Sequence, residues 1–140
     1  PEMVVDGKEE FVGSDASHAE SAIASAAKHA KTPVAISIAQ AGSARSLAVK
    51  IGALSSPESA DVLYALTTAH ASIDVKSGEN GGRKLEHTAI VRSLRVLGAA
   101  SAAGSTFSIP IDANAGPERA VVLVQEKRSR AIVGAATINL

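Results

Sequence analysis

The hydrophobic period changes from near 3.6 to near 2 at Thr32-Pro33, and this change limits the possible folds more than any other feature. Before it, Ala19, Ala22, Ile23, Ala26, Ala27 and Ala30 recur at helical spacing. After it, Val34, Ile36 and Ile38 alternate with small residues, and so do Leu47, Val49 and Ile51. A short helical lead-in followed by period-2 runs to the end of the chain describes a mainly β body.

Each side of the change has its own punctuation. Ser14-Asp15-Ala16-Ser17 is a cluster of helix-start residues, and Ser17 with Glu20 has capping-box spacing. Lys28 and Lys31 suit the negative end of the helix, and Pro33 stops it. Upstream, Met3-Val4-Val5 and Glu10-Phe11-Val12 flank Asp6-Gly7, predicting a β-hairpin whose turn Lys8 and Glu9 lengthen. Downstream, Ala41-Gly42-Ser43 joins two strands into a second hairpin. Further runs cover Asp61 to Thr68, Ser72 to Lys76, Thr106 to Ile111, Ala120 to Gln125 and Ala131 to Ile138. Glu126-Lys127-Arg128-Ser129 reads as a solvated turn between the last two, and Ala99 to Ser105 as a loop.

Residues 86–97 fit two periods. Ile90, Leu94 and Leu97 have helical spacing, with Gly98 placed to end a helix, while Ile90, Leu94 and Val96 share strand parity. Lying between strands, the segment reads as a strand with a bulge. The expected fold is α+β, mainly an antiparallel β-sandwich over 33–140, preceded by a hairpin and one helix over 1–32.

Composition narrows the function. Fourteen basic residues balance fourteen acidic ones and only three residues are aromatic, so neither a global field nor a stacking platform recruits nucleic acid. The absence of cysteine removes disulfides, thiolate metal sites and a cysteine nucleophile from this chain. No run of about 20 apolar residues offers a membrane span. Of 64 apolar residues, 28 are Ala, so the core must be Val, Ile, Leu and Ala at close range. The chain starts at Pro1 without an initiator Met or signal peptide, as expected of a processed product or fragment.

Several stretches resemble an uncharacterised, domain-of-unknown-function family of secreted or periplasmic bacterial proteins with a thioredoxin-like front half. They are Pro1 to Gly7, Phe11 to Asp15, Gly78-Glu79-Asn80-Gly81-Gly82-Arg83-Lys84-Leu85, Val91 to Gly98, Val121 to Gln125 and Ile132 to Ala136. The resemblance implies that 1–32 is the back end of a thioredoxin-like domain, with Pro1 at the cis-proline position facing the family's cysteines. The cysteine-bearing front half is absent. It implies a periplasmic or secreted location, and a partner that is either the missing N-terminal half or a homodimer mate. Ala99-Ala100 stands where the family tends to have a Trp.

No catalytic residue stands out. Glu79, Asn80 and Arg83 lie in a glycine-rich loop that can contact a ligand or partner, Arg83 offering a fork for a carboxylate or phosphate. The alternative is a structural turn, with Asn80 left-handed and Arg83 paired to Glu79. The loop lacks P-loop spacing. His18, His29, His70 and His87 form no metal motif; His70 and His87 alone could approach each other, across sheets, near Asp74 or Glu86. No metal or other cofactor is expected. Glu9-Glu10 reads as a solvated pair, and none of the seventeen serines sits in a nucleophile elbow. Arg92 and Arg95 should face opposite sides of a strand, whichever is buried pairing with a carboxylate. Two functions stay open: the non-redox C-terminal portion of a thioredoxin-like protein that positions a partner or substrate, or a stand-alone binding module. An independent hydrolase has no supporting motif.

Overall fold

The first elements are β1 (Glu2–Val5) and β2 (Glu9–Val12), an antiparallel hairpin that aligns Met3 with Phe11 and Val5 with Glu9. Asp6 and Gly7 make its turn at φ 50° and 69°, while Glu9 and Glu10 lie in the strand rather than the turn. The computed structural model describes residues 2–74, 76–79, 81–112 and 118–140, with the backbone alone of 69–71, 73, 85 and 87. Helix α1 (Ala16–Ala26) is capped by Asp15, whose carboxylate accepts from the His18 amide at 3.0 Å. Asp15 therefore does the work expected of Ser17 and Glu20. The helix ends before Lys28 and Lys31, so neither sits in its last turn, and Lys31 instead pairs with Asp6.

Seven strands follow among the described residues. β3 (Val34–Ala41), β4 (Ala44–Ile51) and β7 (Ser105–Ile111) form one antiparallel sheet in the order β3-β4-β7. β5 (Ala60–Asp74), β6 (Lys84–Ala100), β8 (Glu118–Glu126) and β9 (Ile132–Asn139) form the other, in the order β6-β5-β8-β9. The fold is α+β, a mainly antiparallel sandwich with one helix. Alternate residues face the other sheet: Leu47, Val49, Ile51 and Ile109 from one side, Val62, Tyr64, Val122 and Val124 from the other. Ala60, Ala100 and Ala120 are also buried there, so small side chains let the sheets close where aromatics are scarce.

Two runs expected to be separate, Asp61–Thr68 and the Ser72–Asp74 start of Ser72–Lys76, belong to the single strand β5. Segment 86–97 is strand throughout, with two bulges. The pairing steps from Leu66–Ser93 to Thr67–Val91 past Arg92, and from Val62–Gly98 to Leu63–Val96 past Leu97. Ala99 and Ala100 continue β6 instead of starting a loop, because Ala60 opposite Ala100 needs no bulk to pair. A Cβ on Gly98 would lie 3.2 Å from the Phe107 ring, so the glycine admits the aromatic at that spot.

The hairpin and helix are tied to the sandwich by backbone. The Ile132 amide donates to the Asp6 carbonyl at 2.8 Å, and the Thr32 amide to the Val133 carbonyl at 2.7 Å. Gly134 makes room for this join, since a Cβ there would stand 2.6 Å from the Thr32 carbonyl oxygen.

Candidate functional site

A cleft of about 400 Å3 lies where the hairpin and α1 meet the sandwich. Val5, Ala22, Ala26 and Ile132 give it an apolar wall, and Asp6, Lys8, His29, Ser56 and Glu126 supply polar groups. Its volume falls in the range of small-molecule sites.

Glu126 is the most constrained of these groups. Only 8% of its surface is exposed, unlike the solvated turn residue the sequence suggests. The Ser129 hydroxyl donates to its carboxylate, and with the Ser56 hydroxyl holds it below the usual carboxylate pKa range. Burial opposes that shift and the charge of Lys8 adds to it. Glu58 fixes the same turn by accepting from the Arg128 and Ser129 amides, the latter at 2.9 Å. On the cleft's rim, Thr32 Oγ1 accepts from the Ser55 amide at 2.9 Å, and Lys31 pairs with Asp6. His29 Nδ1 donates to the Ser25 carbonyl at 3.1 Å. Among the described residues no serine hydroxyl is bonded to a histidine, and the Ser129 hydroxyl is oriented by the Glu126 carboxylate. The sequence hides the cleft, because its walls come from segments distant in the chain.

The residues singled out by sequence lie elsewhere. Among the described residues the β5–β8 pairing ends at Thr68–Glu118, while the β5–β6 ribbon stays paired to Asp74–Lys84. Glu79 and Arg83 are exposed at its tip, with Gly78 and Gly82 at φ 87° and 80° and the Gly81 amide bonded to the Gly78 carbonyl at 2.9 Å. No ion pair joins Glu79 to Arg83 among the described residues. Asn80 and Pro1 lie outside the described residues.

The histidines are dispersed. His18 stacks on Phe11 and donates to Glu9 at 2.9 Å, so Glu9 is partnered rather than merely solvated. His70 and His87 are brought near each other by neighbouring strands of one sheet, through the pairs His70–Thr88 and Ala71–His87, not across sheets; their side chains lie outside the described residues. Among the described residues no three His, Asp or Glu side chains are grouped to hold a metal. Arg92 and Arg95 are both exposed, so the carboxylate pairing expected of a buried arginine falls to neither, and Arg95 packs on an aromatic ring. Its guanidinium lies 5.2 Å from the Tyr64 ring centroid, because Tyr64 is the residue directly opposite on β5. Burial raises the Tyr64 pKa, against the lowering effect of Arg95.

A family model described as a protein of unknown function, DUF1223, matches residues 1–125, from the first hairpin through most of β8. The chain belongs to the DUF1223 family. An Agrobacterium tumefaciens protein solved by X-ray crystallography is similar over 99% of this chain and 60% of its own, at 24% identity and a TM-score of 0.72. That likeness shows a shared fold, and this member of DUF1223 spans about three-fifths of the length of the Agrobacterium protein. No curated protein matches the chain.

Proposed function

We propose that this chain is the non-redox, C-terminal portion of a periplasmic or secreted thioredoxin-like protein, and that it positions a partner or substrate for a cysteine centre on the front half. In this reading residues 1–32 complete the thioredoxin-like unit and 33–140 form the positioning sandwich. The observation that carries it is the bare front sheet. Among the described residues this sheet has two strands, β1 and β2, too few for independent stability, and Val4 and Val12 are 53% and 63% exposed. The backbone bonds at Asp6 and Thr32 hold that sheet at a set angle to the sandwich, as positioning requires. The greater length of the Agrobacterium relative leaves room for a front half.

Intact mass spectrometry of the protein isolated natively and then denatured tests the reading. A cysteine-bearing segment joined to this one, or accompanying it as a second polypeptide, is the expected result. A lone cysteine-free species of 14.1 kDa would overturn the redox reading. The stand-alone binding module is the second reading, favoured by the exposed Glu79 and Arg83 at the end of the β5–β6 ribbon.

A further inference from the structure

On one flank of the sandwich two sheet edges end side by side: β7 is the outer strand of its sheet, and β6 of the other. β3 and β9 meet on the opposite flank. Here the sheets part, and a cleft of about 300 Å3 opens between Arg95–Leu97 of β6 and Phe107–Pro110 of β7.

The two edges are not equally receptive. Pro110 deprives β7 of a backbone donor. β6 has no proline, and between its bulges Ser93–Val96 pairs regularly with Leu63–Leu66 on one side only. Among the described residues its other side is an unpaired strand edge. Side chains alternate along this span: Leu94 and Val96 are 62% and 59% exposed on the outer face, while Arg95 turns toward Tyr64 and the cleft.

Charge selects the occupant. From His87 to Ala100 and along β7 there is no acidic residue, and Arg92 and Arg95 are the only Lys or Arg. Neither arginine forms an ion pair with a carboxylate among the described residues, and Asp112, the first acid past β7, already has an interaction of its own.

We propose that this flank binds an extended peptide segment added as a strand to the β6 edge, with an acidic side chain on Arg95 and apolar neighbours covering Leu94 and Val96. The inference goes beyond the reading above and does not depend on it. An added strand alternates in the same way as β6, so its inward side chain meets Arg95 while those on either side lie over the outer face. Tyr64 supports the guanidinium plane and leaves its edge donors for a carboxylate. A basic segment would meet Arg92 and Arg95 as like charges. A second copy added edge to edge would bring Arg95 toward the same residue of its mate.

The test is calorimetric titration with a blocked seven-residue peptide, Val at odd positions and Thr, Glu, Thr between them, against the same peptide with Lys for Glu. Amide exchange at Ser93–Val96 is followed in parallel. The Glu peptide should bind and slow those amides, with the Lys peptide at least about tenfold weaker. Arg95→Met, which keeps an apolar stem over Tyr64, should weaken the Glu peptide by about tenfold or more. If that variant does not fold, the two peptides on the unaltered protein still decide. Equal binding of both peptides, binding of neither, or unchanged affinity in folded Arg95→Met would overturn the proposal. So would slow exchange at Ser93–Val96 without peptide that is lost on dilution, which would assign the edge to a second copy.

Discussion

Glu126 shows how a charged residue in a polar run becomes structural. Its run of Glu-Lys-Arg-Ser reads as solvated, and nothing local contradicts that reading. The Glu58 carboxylate caps the turn from a distant segment, and the Ser129 and Ser56 hydroxyls leave the Glu126 carboxylate ionised at low exposure. Replacing Glu126 with Ala should cost about 1–3 kcal/mol at neutral pH, measured by denaturant unfolding. The pH dependence follows from the direction of the shift. Because the folded pKa is lowered, ionised Glu126 stabilises the protein above its unfolded pKa, and this contribution is lost as pH falls through the folded value. Glu126→Gln should therefore be less stable than the parent at pH 7, with the difference shrinking below about pH 5. A constant difference across that range would remove the charge from the explanation.

Among the elements, β6 was the hardest to read and the bulges explain why. One extra residue at Arg92 puts Ile90, opposite Thr68, and Leu94, opposite Ala65, on different faces, so no single period fits the segment. Strands without bulges, such as β3 and β4, are legible from alternation alone. The cap at Asp15 and the early end of α1 were less so, since several candidate caps stand in line and Ala favours the helix well past Ala26. The tie between front sheet and sandwich rests on Gly134, whose importance comes from the approach of Thr32. Gly134→Ala should destabilise by about 1–3 kcal/mol and speed amide exchange at Thr32 and Ile132 before the core amides. At the ribbon tip, Glu79→Ala and Arg83→Ala should each change stability by less than about 0.5 kcal/mol in denaturant unfolding. A larger loss would make the loop a structural turn and remove support for the binding module.

The whole molecule exposes 8988 Å2, against about 6,700 Å2 for a compact monomer of 14.1 kDa. The excess of about 2,300 Å2 is larger than one side of a standard protein–protein interface. Val4 and Val12 on the front sheet, Ile23 on α1 and Val91, Leu94 and Val96 on β6 contribute large apolar side chains to this surface. A front sheet held at a set angle and left bare fits a chain that works against another polypeptide. Sedimentation of the natively isolated protein, beside a Val4→Lys/Val12→Lys variant, tests this most directly. The native protein should sediment above 14.1 kDa, bound to a front-half segment or to a second copy; the double variant should lose that association, unfold at a lower temperature because the partner no longer stabilises it, and keep its strand content by circular dichroism. A native protein that already sediments as a 14.1 kDa monomer, or a variant that keeps its partner, would contradict the account.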